Sequence, residues 1–187
     1  MTNSPASHSP LTHQPPATPQ GLARLNAMSA AEAAAALTVV CGSKRWAAAM
    51  TGNRPFQQLD ALIQTADSIW FALSPADWTE AFAHHPRIGE TNLAQARFAK
   101  TAQQSSIEQS GMSGASDEVR RAFVAGNAEY ERKFGHVFLI CATGKSGAFM
   151  LDQLGKRLKN DAATELHQAA REQAMITRMR LTKLVNS

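Results

Sequence analysis

The run Phe82-Ala-His-His-Pro-Arg-Ile-Gly-Glu90 puts two imidazoles where a helix should end, because Pro86 and Gly89 interrupt the pattern that precedes them. Histidine titrates closest to neutrality, so His84 or His85 held at a fixed chain break could exchange a proton with a bound molecule. His85 is the better candidate, since Pro86 restricts its backbone and can fix its direction. The plainer alternative is that one imidazole caps carbonyls at the helix end. Arg87, next in line, could bind a carboxylate or stand on the surface.

A second group is Ser105-Ser-Ile-Glu108-Gln109. Positions three and four apart share a helix face, so Ser105, Glu108 and Gln109 can project towards one cavity. Together they offer a hydroxyl, a carboxylate and an amide, an inventory suited to a ureido or imide-like ligand. An exposed polar face is the competing reading. Near the end of the chain, Arg178 and Arg180 differ by about 200° around an ideal helix, so the two cannot both face one pocket. Residue mechanics leave open which of them meets an anion.

The elements that must carry these groups read as helices almost throughout. Ser29 with Glu32 forms a capping box before a helix over residues 30–40 that Gly42 ends. A short helix around Trp46 and Met50 follows, then a break at Gly52-Asn-Arg-Pro55. From Phe56 to Leu73 the apolar positions keep helical spacing. Ser74 caps the next helix, with Pro75 in its first position and Asp77 in place of the usual Glu or Gln, and it runs to about Ala83. Helices are also expected over 93–109, from Ser116 to Gly135, over 149–158 and over 162–185. Residues 137–142 are β-like in composition but have no second strand to pair with, so they read as a short extended connection. Residues 1–20, with Pro5, Pro10, Pro15, Pro16 and Pro19 among polar residues, read as a disordered tail. The expectation is therefore an all-α, single compact multi-helix domain over 21–187 behind a disordered N-terminal tail over 1–20.

With 187 residues, one domain can bury a substantial core. A formal charge of +4 suits an anionic small molecule as well as a nucleic acid. The basic residues are mostly dispersed, the densest group being Lys156, Arg157 and Lys159, and neither an RNP-like aromatic strand nor a cysteine-histidine finger spacing is present. Cys41 and Cys141 are isolated in apolar settings and read as reduced packing residues. No metal-ligand array, phosphate loop or nucleophile elbow accompanies the candidate groups, so no cofactor is implied. No segment is long and apolar enough to span a bilayer, and no signal sequence opens the chain, which reads as a soluble cytoplasmic protein.

Several ordered blocks together are more specific than the histidine-proline pair. They are Leu37-Thr-Val-Val-Cys-Gly-Ser43 with Trp46, Arg54-Pro-Phe56, Phe82-Ala-His-His-Pro-Arg-Ile-Gly89, Ser105-Ser-Ile-Glu-Gln109, Asn127-Ala-Glu-Tyr130 and Lys133-Phe-Gly-His-Val-Phe-Leu-Ile-Cys141. From about Gly21 to Val185 the chain resembles the OHCU decarboxylase family, enzymes of urate breakdown that act on 2-oxo-4-hydroxy-4-carboxy-5-ureidoimidazoline. The resemblance implies His85 as the acid-base residue, with Glu108 paired to it or orienting the substrate hydroxyl. It implies Ser105, Gln109, Phe138, Ile140 and Arg180 as substrate-binding residues, together with Pro86 from the His-Pro turn. It also implies a helical homodimer that needs no metal or organic cofactor and takes a small anionic ureidoimidazoline, with no nucleic-acid or membrane partner. The expected reaction is decarboxylation to (S)-allantoin. A helical nucleic-acid-binding module and a metal-independent ureide hydrolase are the competing readings.

Overall fold

The computed structural model describes residues 19–88 and 114–187, and among these every regular element is helical. The helices are α1 (Pro19–Ala27), α2 (Ala30–Cys41), α3 (Lys44–Gly52), α4 (Leu59–Phe71), α5 (Pro75–Phe82), α6 (Asp117–Phe134), α7 (Gly147–Arg157) and α8 (Ala162–Asn186). The helix expected over 93–109 and most of the tail expected over 1–20 lie outside the described residues.

Side chains at the helix ends explain where the chain turns. Ser29 and Glu32 form the expected capping box on α2, and Ser74 with Asp77 forms one on α5, where the shorter acid still reaches the Ser74 N–H at 3.1 Å. Gly42 leaves α2 at φ 93°, and Gly135 leaves α6 at φ 76°. In this left-handed region only glycine is unstrained.

One helix escapes the sequence reading. Pro19 and Gln20, assigned above to the tail, open α1, which proline tolerates in a first turn. Leu22 and Leu25, three residues apart, bury its inner face. Gly21 lets α1 lie directly on the end of α8, because a Cβ there would sit 1.7 Å from the Val185 carbonyl oxygen. The C-terminal end of α1 is held by Arg54, whose Nη1 donates to the Leu25 and Met28 carbonyls at 2.8 and 2.7 Å. Leading N-terminal apolar residues are few, so this anchor is tertiary and has little local signature.

The long helix α8 is the axis of the fold and packs against α1, α2, α4, α5 and α6. A main core joins Leu37, Trp46, Met50, Leu62, Trp70, Trp78 and Phe82 to Ala169, Ala170, Ile176 and Leu181 of α8. Each indole N–H in it is satisfied by a backbone carbonyl: Trp46 on Ala66, Trp70 on Ala170 and Trp78 on Trp70. A second core, Ile88, Phe123, Tyr130, Phe138, Ile140, Met150 and Leu154, lies between α6, α7 and the two loops that follow α5 and α6.

The connection at 137–142 runs between these cores without strand pairing, as its lack of a partner predicts. Its alternating pattern has a clear cause. Leu139 enters the main core, flanked by Val137 and Cys141, whereas Phe138, Ile140 and Ala142 enter the second. Successive side chains of extended backbone point to opposite sides, so β-like composition here reflects two cores rather than a sheet.

Candidate active site

The His-His-Pro run follows α5 directly, and its two imidazoles part company. The His84 side chain is exposed, whereas His85 is only 7% exposed. The His85 N–H donates to the Phe82 carbonyl at 3.1 Å, which closes the turn that carries the ring inward. Two residues of α6 then pin the chain beyond it. Asn127, buried, donates from Nδ2 to the Ile88 carbonyl at 2.8 Å, and Arg87 pairs with Glu131, Nη2 to Oε2 at 2.7 Å. Arg87 thus does bind a carboxylate, one of this chain's own.

A pocket beside His85 is lined by Pro86, Ile88, Phe138, Leu139, Ile140, Ala142 and Ile176. Of the residues singled out by sequence, it unites His85, Pro86, Phe138 and Ile140. The wall is held in shape from behind. Arg157 of α7 donates from Nη1 to the Leu139 carbonyl at 2.6 Å, and its guanidinium lies 4.7 Å from the centre of the Phe138 ring. Arg157 is itself paired with buried Glu165. The residue counted above in the densest basic group is therefore an interior one.

The choice between the two late arginines resolves as the 200° argument requires. Arg178 is exposed and pairs with Asp67, Nη2 to Oδ2 at 2.7 Å. Arg180 is 3% exposed and donates from Nη1 to the Val40 carbonyl at 3.2 Å. It is not among the described residues that line the pocket, and its charge acts on His85. Gln173, Thr177 and Arg180 share one face of α8, and Gln173 donates from Nε2 to the Cys41 carbonyl at 3.3 Å. The last carbonyls of α2, which have no partner within their helix, are thus met by α8. Gly42 completes the junction, since a Cβ there would lie 3.0 Å from the Ala81 oxygen and 3.1 Å from the His84 Cβ.

Ser105, Glu108 and Gln109 lie outside the described residues. Ile88, Leu139, Ala142, Ile176 and Gln173 were not anticipated. Ala142 continues the alternation of Phe138 and Ile140, and Ile176 stands four residues before Arg180, so both were in reach of periodicity. Among the described residues no cluster of three or more His, Cys, Asp or Glu could hold a metal ion, and no helix is long and apolar enough to cross a membrane.

Burial is the main reason that the His85 pKa falls to about 3, and the Arg180 charge adds to it. The ring is neutral at pH 7. Burial also lifts the Cys41 thiol to about 12, so this cysteine stays protonated and inert, in keeping with a packing role. The depressed imidazole has a consequence for stability. Below the unfolded value of 6.5 the unfolded chain binds a proton at this position while the folded chain does not, so stability falls with pH from about 6.5 towards 3. The slope is up to about 1.4 kcal/mol per pH unit. His136, lowered chiefly by burial, adds in the same sense. Asp77, Asp152 and Asp161 have lowered values and act only below the usual carboxylate range. Unfolding free energies from urea titrations at pH 7 and pH 5 should therefore differ by about 2 kcal/mol or more, and the gap should narrow in His85→Asn. A wild-type midpoint that stays flat across this interval would contradict a buried neutral His85.

Fold and site together define an all-helical protein whose pocket is built around one buried neutral histidine and an apolar wall. The chain belongs to the OHCU decarboxylase family, whose family model, described as OHCU decarboxylase, matches residues 26–182. It is 36% identical over 147 residues to the uric acid degradation bifunctional protein TTL of Arabidopsis thaliana, a match covering 78% of this chain and 45% of that protein. The chain thus spans less than half the length of this bifunctional relative. The 2-oxo-4-hydroxy-4-carboxy-5-ureidoimidazoline decarboxylase of Mus musculus is 27% identical over 141 residues, with 75% of this chain and 79% of the mouse protein covered. Among solved structures, an OHCU decarboxylase crystallised in the presence of (S)-allantoin superposes with a TM-score of 0.69 at 34% identity, covering 80% of this chain and 96% of that one.

Proposed function

We propose that this protein is a cofactor-independent carboxy-lyase that converts 2-oxo-4-hydroxy-4-carboxy-5-ureidoimidazoline to (S)-allantoin in urate breakdown. The observation that carries the reading is a buried imidazole, kept neutral at physiological pH, lining a pocket whose other lining side chains are apolar. In this reading His85 and Glu108 are catalytic, and Pro86, Ser105, Gln109, Phe138, Ile140 and Arg180 bind the substrate. The family and its decarboxylase relatives support the assignment.

The chemistry follows from the substrate's bonds. When the carbon-carboxylate bond breaks, its electron pair moves into the adjacent ring imine, which takes up a proton at nitrogen and leaves an enol. The enol hydroxyl then gives up its proton while the ureido-bearing carbon gains one, so that a single proton is consumed overall. A neutral imidazole can accept the hydroxyl proton and return one, whereas an imidazolium could not begin the cycle as a base. Glu108 orients the hydroxyl. The Phe138, Ile140 and Ile176 side solvates a localised carboxylate poorly, which favours the dispersed charge of the departing state. Arg180 holds a polar part of the substrate away from the breaking bond, because clamping the carboxylate would stabilise the ground state more than the transition state.

The reading carries with it a cytoplasmic homodimer acting on a small anionic molecule. The nucleic-acid alternative loses much of its basic surface: Arg157 and Arg180 are buried, Arg178 pairs with Asp67, and Lys156 pairs with Asp152 at 2.7 Å. Rapid mixing with freshly generated substrate, following carbon dioxide and product chirality together, tests the function. Carbon dioxide release above spontaneous decay with one allantoin enantiomer is expected. Ring opening without carbon dioxide would replace this reading by the hydrolase.

A further inference from the structure

Two buried polar atoms in the described structure lack a hydrogen bond, His85 Nε2 and Gln173 Oε1. Unsatisfied buried polar atoms are rare enough that each calls for a reason. These two are complementary, and they belong to residues that interact with each other. Gln173 is fully buried, and its amide has one defensible orientation, since Nε2 donates to the Cys41 carbonyl at 3.3 Å and to Thr177 Oγ1 at 3.1 Å. Flipping it would set Oε1 against the Cys41 carbonyl, acceptor against acceptor. Its oxygen is thereby committed to the remaining direction. The end of α2 fixes the other half of the arrangement: Cys41 anchors Gln173, and the adjacent Gly42 packs on Ala81 and His84, the residues that lead into His85.

We propose that Gln173 is the positioning residue of His85: its Oε1 accepts the Nε2–H of the imidazole and fixes the neutral tautomer in which Nδ1 carries the lone pair. A small closure of the ring towards α8 satisfies both atoms at once. The edge of the ring left to meet a ligand is then the Nδ1 edge. An amide suits this task better than a carboxylate, because it orients the N–H without adding a charge that would draw a second proton onto the ring. Among the described residues, the charged and titratable groups that act on the imidazole are Arg180 on α8 and His84 on its own turn.

The kinetic part of this proposal rests on the decarboxylase reading, but the tautomer does not. The test is nitrogen-15 NMR of the full chain labelled at histidine, with the His85 ring assigned by its loss in His85→Asn. The expected spectrum at neutral pH shows a protonated Nε2 and a lone-pair Nδ1. Gln173→Leu and Gln173→Met should each mix the tautomers and lower kcat roughly 10- to 100-fold with KM nearly unchanged. Gln173→Glu should restore the Nε2–H tautomer and move the acidic limb of the rate profile to higher pH, as a neighbouring anion favours the imidazolium. A packing role alone would alter stability in all three variants and leave tautomer and pH profile in place. A wild-type ring protonated on Nδ1, or either apolar variant with wild-type tautomer and kcat, overturns the proposal. The expected tautomer in a protein that releases no carbon dioxide would instead overturn the function and leave the positioning role standing.

Discussion

His85→Asn should keep the helical fold and lose decarboxylation by about 10²- to 10⁴-fold, the range that a positioned proton-transfer group contributes. Asparagine is smaller and neutral, and the ring it replaces is already neutral in the folded protein, so no buried charge is created or orphaned. The turn survives, because it is the backbone N–H of residue 85 that bonds the Phe82 carbonyl, and Asn127 and Glu131 hold the chain beyond it. What disappears is the group that can take the hydroxyl proton and give one back. Stopped-flow release of carbon dioxide, corrected for spontaneous decay and paired with circular dichroism, measures the loss. Near-normal turnover in a folded variant would remove His85 from the mechanism. The same variant should be relatively more acid-resistant than wild type, since the proton that the unfolded chain gains at this position below pH 6.5 is no longer at stake.

The contrast between what could and could not be read from the chain has a physical pattern. Local chemistry was legible: Ser29, Ser74 and Ser116 cap the helices that they were expected to cap, and Gly42 and Gly135 end theirs in the left-handed region. Features created by packing were not. Arg157 stands in the densest basic group with Lys156 and Lys159, yet α7 turns it onto Glu165 and the Leu139 carbonyl. The start at Pro19 was hidden because α1 is held by Gly21 against Val185 and by Arg54, contacts distant in sequence. The site divides in the same way. His85 stood out by type and by its proline, and the angle between Arg178 and Arg180 showed that only one could turn inward. The selection of Arg180 from the bare chain needed the family resemblance, and geometry now supplies its burial. Gln173 had no local mark at all. A glutamine in the middle of a helix is ordinary until the carbonyl of Cys41, 132 residues away, fixes its amide.

The second large effect lies behind the pocket wall. Glu165→Gln should cost about 3–5 kcal/mol, enough to threaten a fold of ordinary stability. Glu165 is fully buried and accepts from the Tyr130 hydroxyl, from Arg157 Nε at 2.8 Å and from Asn160 Nδ2 at 2.7 Å. Burial holds the Tyr130 phenol far above its ordinary range, so it remains a neutral donor and cannot itself balance the guanidinium. Glutamine would keep the shape, remove the carboxylate that pairs with Arg157 among the described residues, and turn an NH₂ group towards at least one donor. The penalty is the stranding of a buried cation, more than the loss of an ion pair's attraction. Arg157→Met combined with Glu165→Leu should therefore recover part of the stability that Glu165→Gln loses. The double replacement should not recover the pocket, because Arg157 also ties the Leu139 carbonyl and backs the Phe138 ring. Urea unfolding of the single and double variants, followed by KM measurement on whatever folds, separates the two roles. Equal stability of Glu165→Gln and wild type would show that Arg157 is compensated elsewhere, and a wild-type KM in the double variant would show that the wall keeps its shape without the guanidinium.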